Sequence, residues 1–135
     1  MKKTVILSIL FLSFTLAGSV WAAGTSEQEG LEKQAFFMKT GQDLVDLCSV
    51  AEDHPLYDKA VAFCYGYMTG AMNFYGAIAQ SPKMPKVICS KEEIPRSQMV
   101  TVFLDWAKSN KVHLSEAPID ALVRSAVAKW PCEKK

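Results

Sequence analysis

The chain has 135 residues, half of them hydrophobic, and sets 15 Lys and Arg against 14 Asp and Glu. With a near-neutral balance and no basic stripe, it lacks the electrostatic footprint of a nucleic-acid-binding protein. Its length admits one domain, able to bury roughly two thirds of its unfolded surface.

Lys2 and Lys3 precede an apolar run from Val5 to Ala17, and the segment "VWAA" then supplies small residues. This tripartite pattern predicts a secretory signal peptide over residues 1–22, cleaved near Ala22. The run is too short for a good membrane anchor, and no cysteine follows it to carry a lipid. Cleavage removes only two charges, leaving 113 residues with 13 basic and 14 acidic side chains. The expected localisation is the periplasm. Residues 23–35 are polar and aperiodic and read as a flexible lead-in. Phe36, Phe37 and Met38 mark the start of a helical domain over 36–135.

Cys48, Cys64, Cys89 and Cys132 all fall in that domain. An even count in an exported chain reads as disulfides. Structural zinc sites usually show closely spaced cysteine pairs, and none is present. Nor is there a C-x-x-C-H haem motif or a C-x-x-C redox motif, so neither a metal nor a cofactor is expected. Four cysteines allow three pairings. Topology favours Cys48 with Cys64 across a short turn, and Cys89 with Cys132 between a loop and the chain's end.

The helices follow in order. Thr40 and Asp43 fit an N-cap and an acidic first turn, and Leu44, Leu47 and Cys48 give the first helix an apolar edge. The turn "AEDHP" leads to a second helix, with Pro55 in its first turn. From Ala60 to Ala79 that helix carries no charged residue, a length that reaches a membrane span. Tyr65, Tyr67, Thr69, Asn73 and Tyr75 keep it only moderately apolar, so no stable span is expected after signal cleavage. The three prolines of residues 81–96 forbid a continuous helix. A third helix is expected from about Ser97 to Ser109, with Met99, Val102, Phe103 and Trp106 on one face. A fourth, after Ser115, carries Ile119, Leu122, Val123, Ala126, Val127 and Trp130 at amphipathic spacing. No strand pattern competes, so the fold class is all-α: a small disulfide-braced bundle of about four helices.

"FCYGYMTGAMNFYGA" places Gly66, Gly70 and Gly76 inside the second helix, where each glycine costs up to about 1 kcal/mol relative to alanine. Gly66 and Gly70 lie on one face and would let another backbone approach closely. The partner is either a helix of the same chain or the same helix of a second copy. Phe63, Tyr67, Phe74 and Ile78 are expected to fill space between the other helices.

Catalytic constellations are not found. His54 and His113 both lie in connections without a positioned acid–base partner. Oxidised cysteines leave no thiolate, and no nucleophile elbow places a serine. Glu92 and Glu93 beside Lys91 read as a solvated cluster, and Asp43 supports a helix start. The glycines do not form a phosphate-binding loop. A binding or structural role remains, and no enzyme is expected.

Several motifs now combine. "GQDLVDLC" with Gly41, Leu44 and Cys48, "FCYGYMTGAMN" with Cys64, Gly66, Tyr67 and Gly70, Cys89 followed by Gln98, and "AVAKWPC" with Trp130, Pro131 and Cys132 resemble the type VI secretion amidase-immunity (Tai) family over about residues 36–132. The chain departs from that pattern at Asn73, where the family commonly has Asp, and in having Pro95 as the first proline after Cys89. The resemblance implies a small helical periplasmic protein, often a homodimer, that inhibits a peptidoglycan amidase effector by inserting a loop or helix edge into its active-site cleft. Rigid loops on a scaffold are common binding surfaces. The candidates are the 81–87 loop, with Lys83, Met84 and Lys86, and the 109–115 loop, with Asn110, Lys111 and His113. Two other classes compete: a periplasmic acid-stress chaperone, and an envelope structural or interaction subunit assembled through Gly66 and Gly70.

Overall fold

A computed structural model describes residues 36–133; the expected signal peptide and the lead-in lie outside the described residues. Four helices follow one another: α1 (Gly41–Cys48), α2 (Tyr57–Ile78), α3 (Arg96–Ser109) and α4 (Pro118–Lys129). A 3₁₀ turn, Lys111–Ser115, joins α3 to α4 where the sequence suggests an irregular loop. The described residues form no β-strand beyond an isolated bridge between Ile88 and Pro131. The fold is all-α.

Helix α1 has only eight residues, too few to be stable alone in water. A capping box starts it: the Asp43 N–H donates to Thr40 Oγ1 at 3.2 Å, and the Thr40 N–H donates to Asp43 Oδ2 at 2.8 Å. The Lys39 N–H donates to the same carboxylate oxygen at 2.9 Å. These backbone donors, Lys39 first and Thr40 next, hold the Asp43 carboxyl below the usual carboxylate value. At its other end α1 is tied to α2 by the Cys48–Cys64 disulfide, with Cα atoms 5.3 Å apart.

Helix α2 buries one line only, Ala60, Cys64 and Met68. Tyr67, Ala71, Met72 and Tyr75 pack half-buried against the core beside it. On its other side one expectation is narrowed and another corrected. Among the described residues nothing lies within 4 Å of a Cβ built on Gly66, Gly70 or Gly76, so no described helix of the same chain is the close partner, which leaves the second copy of the two expected partners. Phe63 and Phe74 do not fill the interior either; they are 38% and 67% exposed. The reason is angular: positions 63, 66, 70 and 74 recur at the helical repeat, so aromatics and glycines share one outward face.

Phe103, Leu44, Met68, Met99 and Leu122 are the largest fully buried apolar side chains, at the junction of all four helices. Ser125, the one buried polar residue among those described, donates its Oγ to the Leu122 carbonyl at 2.7 Å. Gly41 is the glycine that close packing requires. A Cβ there would lie 2.7 Å from the Ala121 Cβ and 3.3 Å from the Leu114 Cα. Its N–H donates to the Glu116 carbonyl at 2.9 Å.

The proline-bearing segment is pinned from two sides. The Tyr75 hydroxyl on α2 accepts the N–H groups of Val87 and Ile88 at 2.9 and 2.8 Å. The Cys89 N–H donates to the Trp130 carbonyl at 2.8 Å, beside the Cys89–Cys132 disulfide. Both disulfides are those that topology favours.

Candidate partner-binding groove

Helices α3 and α4, with the 3₁₀ turn between them, border an open groove of about 530 Å³. Trp106 from α3 and Val123, Val127 and Ala128 from α4 make it apolar, with Val87 on its lip. Asn110, His113 and Arg124 supply its polar groups. Val87 is held there by the Tyr75 hydroxyl, so the end of the 81–87 loop faces the 109–115 connection across one depression.

The polar groups are built in rather than loosely hung. The Asn110 amide donates to the Trp106 carbonyl at 2.8 Å, satisfying an end carbonyl of α3. The imidazole of His113 stacks on the Trp106 indole, with centroids 6.0 Å apart and planes inclined by 22°. His113 Nδ1 lies 2.8 Å from Glu116 Oε1, and Arg124 Nε donates to Glu116 Oε2 at 2.6 Å. Glu116 thus joins the 3₁₀ turn to α4. His113 first and Arg124 second hold its carboxyl below the usual value. The result is a fixed row of aromatic, imidazole, carboxylate and guanidinium groups along an apolar trough.

Of the sequence candidates, Asn110 and His113 line the groove. Lys111 turns instead to a smaller depression with Val45, Ser49, Leu104 and Lys108. Lys83, Met84 and Lys86 are exposed and do not line the groove. Trp106, Val123 and Val127 read from sequence as core because they share the amphipathic stripes of α3 and α4. The structure leaves all three half-buried at the groove. Arg124 and Glu116 were missed altogether: they are eight residues apart on different elements, and no local spacing reports their contact.

A second depression, at the corner of α1 and α2, is lined by Phe36, Phe37, Leu47, Leu56 and Ala60, with Asp43, Asp46 and His54. Its polar groups serve local ends: Asp43 caps α1, Asp46 accepts from Gln42 at 2.7 Å, and His54 Nδ1 accepts the Leu56 N–H at 3.1 Å. Among the described residues no group of His, Cys, Asp and Glu is arranged to hold a metal ion. Nor is any described helix long and apolar enough to cross a membrane.

Compared with known families, residues 40–132 match the model of the Rap1a immunity proteins. The chain belongs to the Rap1a immunity protein family. Searches among curated proteins and among solved structures give no match. The matched span runs from the Thr40 cap to Cys132, and so takes in both disulfides and the whole groove. Membership in the Rap1a family implies binding to a toxin partner.

Proposed function

We propose that this Rap1a protein is a periplasmic immunity protein that binds a type VI secretion peptidoglycan amidase and inhibits it by occluding its active-site cleft. The observation that carries the reading is the groove: Val87 from one expected partner loop and Asn110 and His113 from the other meet across one apolar trough. Trp106 supplies the large, rigid anchor typical of interface hot spots. Its stacking on His113, and the bonds of His113 and Arg124 to Glu116, fix the surface before binding, so little side-chain entropy is lost on association. Inhibition on this reading is steric and needs no chemistry from the immunity protein. Titration of a purified type VI amidase with the disulfide-bonded chain, following peptidoglycan cleavage, tests it. Stoichiometric loss of cleavage is expected, and undiminished cleavage by an amidase encoded beside this chain contradicts it.

The outward face of α2 supports a homodimer as part of the same reading. Phe63 and Phe74 flank Gly66 and Gly70 on an exposed face, and an antiparallel second copy of α2 would set each Phe63 near a Phe74 with the glycines between. Sedimentation of the wild type and of Phe74→Asp tests it: the wild type should run as a dimer and the variant as a monomer. Equal mass for both contradicts this interface.

A further inference from the structure

The groove's charges are unbalanced. Its lining holds Arg124 and His113 and no carboxylate, and Glu116 beside it is already bonded to both. Arg124 engages Glu116 through Nε and its side chain stays 50% exposed. A guanidinium has five N–H donors, so capacity remains for a second carboxylate in the bidentate manner that arginine favours. Lys111 follows the groove residue Asn110, and Lys86 precedes the lip residue Val87; both are exposed, without an acidic partner among the described residues. Of the other acids nearby, Asp105 is paired with Lys108 at 2.7 Å, and Asp120 lies beside Tyr67.

From this arrangement we infer that the α3–α4 groove takes a protein segment that sets a carboxylate side chain beside an aliphatic or aromatic one. The apolar side chain lies over Trp106, Val123 and Val127, and the carboxylate meets Arg124, while the exposed Lys86 and Lys111, outside the groove lining, add only longer-range attraction. Attraction between the groove's cations and that carboxylate speeds the encounter as well as holding the product. This inference rests on the groove being the partner-facing surface, and it adds the chemistry that surface selects.

The test uses capped peptides and no amidase, so its failure is separable from failure of the proposed inhibition. A peptide alternating glutamate with leucine is titrated into the isotope-labelled, disulfide-bonded chain, following the Trp106 indole N–H and the Val123 and Val127 methyls by NMR. The same peptide with lysine, and again with glutamine, in place of glutamate gives the comparison. The glutamate peptide should shift these signals, bind at least about tenfold more tightly than the glutamine peptide, and weaken as salt is raised. Arg124→Gln should abolish that preference. Lys111→Gln, at an exposed position outside the core, should reduce it if the first variant fails to fold. Equal binding of the glutamine and glutamate peptides, preference for lysine, or no response from any peptide overturns the inference.

Discussion

A Cβ on Gly41 would stand 2.7 Å from the Cβ of Ala121, closer than real side-chain carbons approach. This contact seats the start of α1 on α4, and the Gly41 N–H then holds the carbonyl of Glu116, whose side chain organises the groove. Substituting Gly41 by alanine forces the two helices apart and should cost about 1–3 kcal/mol. Gly66→Ala and Gly70→Ala place a methyl in open space. Each should raise the stability of the monomer by about 0.5–1 kcal/mol through helix propensity. Urea midpoints measured at concentrations where the chain is monomeric check both signs. Destabilisation by Gly70→Ala under those conditions would mean that α2 packs against something within the chain.

The two disulfides close loops of different length, with sequence separations of 16 for Cys48–Cys64 and 43 for Cys89–Cys132. On the chain-entropy account, removing them by paired cysteine-to-alanine substitution costs about 3 and about 4 kcal/mol respectively. Thermal unfolding of the two double variants should therefore show the larger loss for Cys89 and Cys132. That variant should also loosen the groove lip, because Val87 lies two residues from Cys89. Stronger proteolysis around Lys83 to Val87 in that variant alone would be the accompanying sign.

Acid stability follows from Asp43 and Glu116, whose carboxyls are both held below their ordinary values of 3.8 and 4.5. The native state binds these protons more weakly than the unfolded chain. Their contribution is therefore complete above the ordinary values and is lost as pH falls through the lowered ones. Asp43→Asn and Glu116→Gln should each flatten the acid limb of a stability–pH curve and leave its alkaline limb unchanged. Tyr67 has the opposite consequence. Burial first, and then the Asp120 carboxylate, push its phenol above 10.0, so the native state holds that proton more tightly. Stability should fall as pH climbs past that value, and Tyr67→Phe should remove the fall.

Much of the fold is legible in the sequence because its signals are local. Thr40 and Asp43 announce the cap of α1, the spacing from Ile119 to Val127 announces α4, and three prolines keep residues 81–95 out of a helix. The uncharged helix α2 is harder to read. With glycine, phenylalanine and tyrosine all round it, hydropathy does not say which side faces in, and the expected inward Phe63 and Phe74 point out. The groove is harder still. Asn110 and His113 are identifiable as residues of a connection. Trp106, Val123 and Val127 look like core, and the Glu116–Arg124 bond exists only once the 3₁₀ turn has set α4 against α3. A binding surface made where two amphipathic stripes are wider than the core they cover leaves no separate mark in either stripe.

The most direct test fills the groove without disturbing the core. Ala128 is exposed on α4 and lines the groove beside Val127. Ala128→Trp should leave the unfolding free energy within about 0.5 kcal/mol of the wild type while occupying the trough. Titrated against a type VI peptidoglycan amidase that the wild type inhibits, this variant should leave cleavage nearly untouched. If Ala128→Trp inhibits stoichiometrically, the amidase is held by some other surface and the groove is not the seat of immunity.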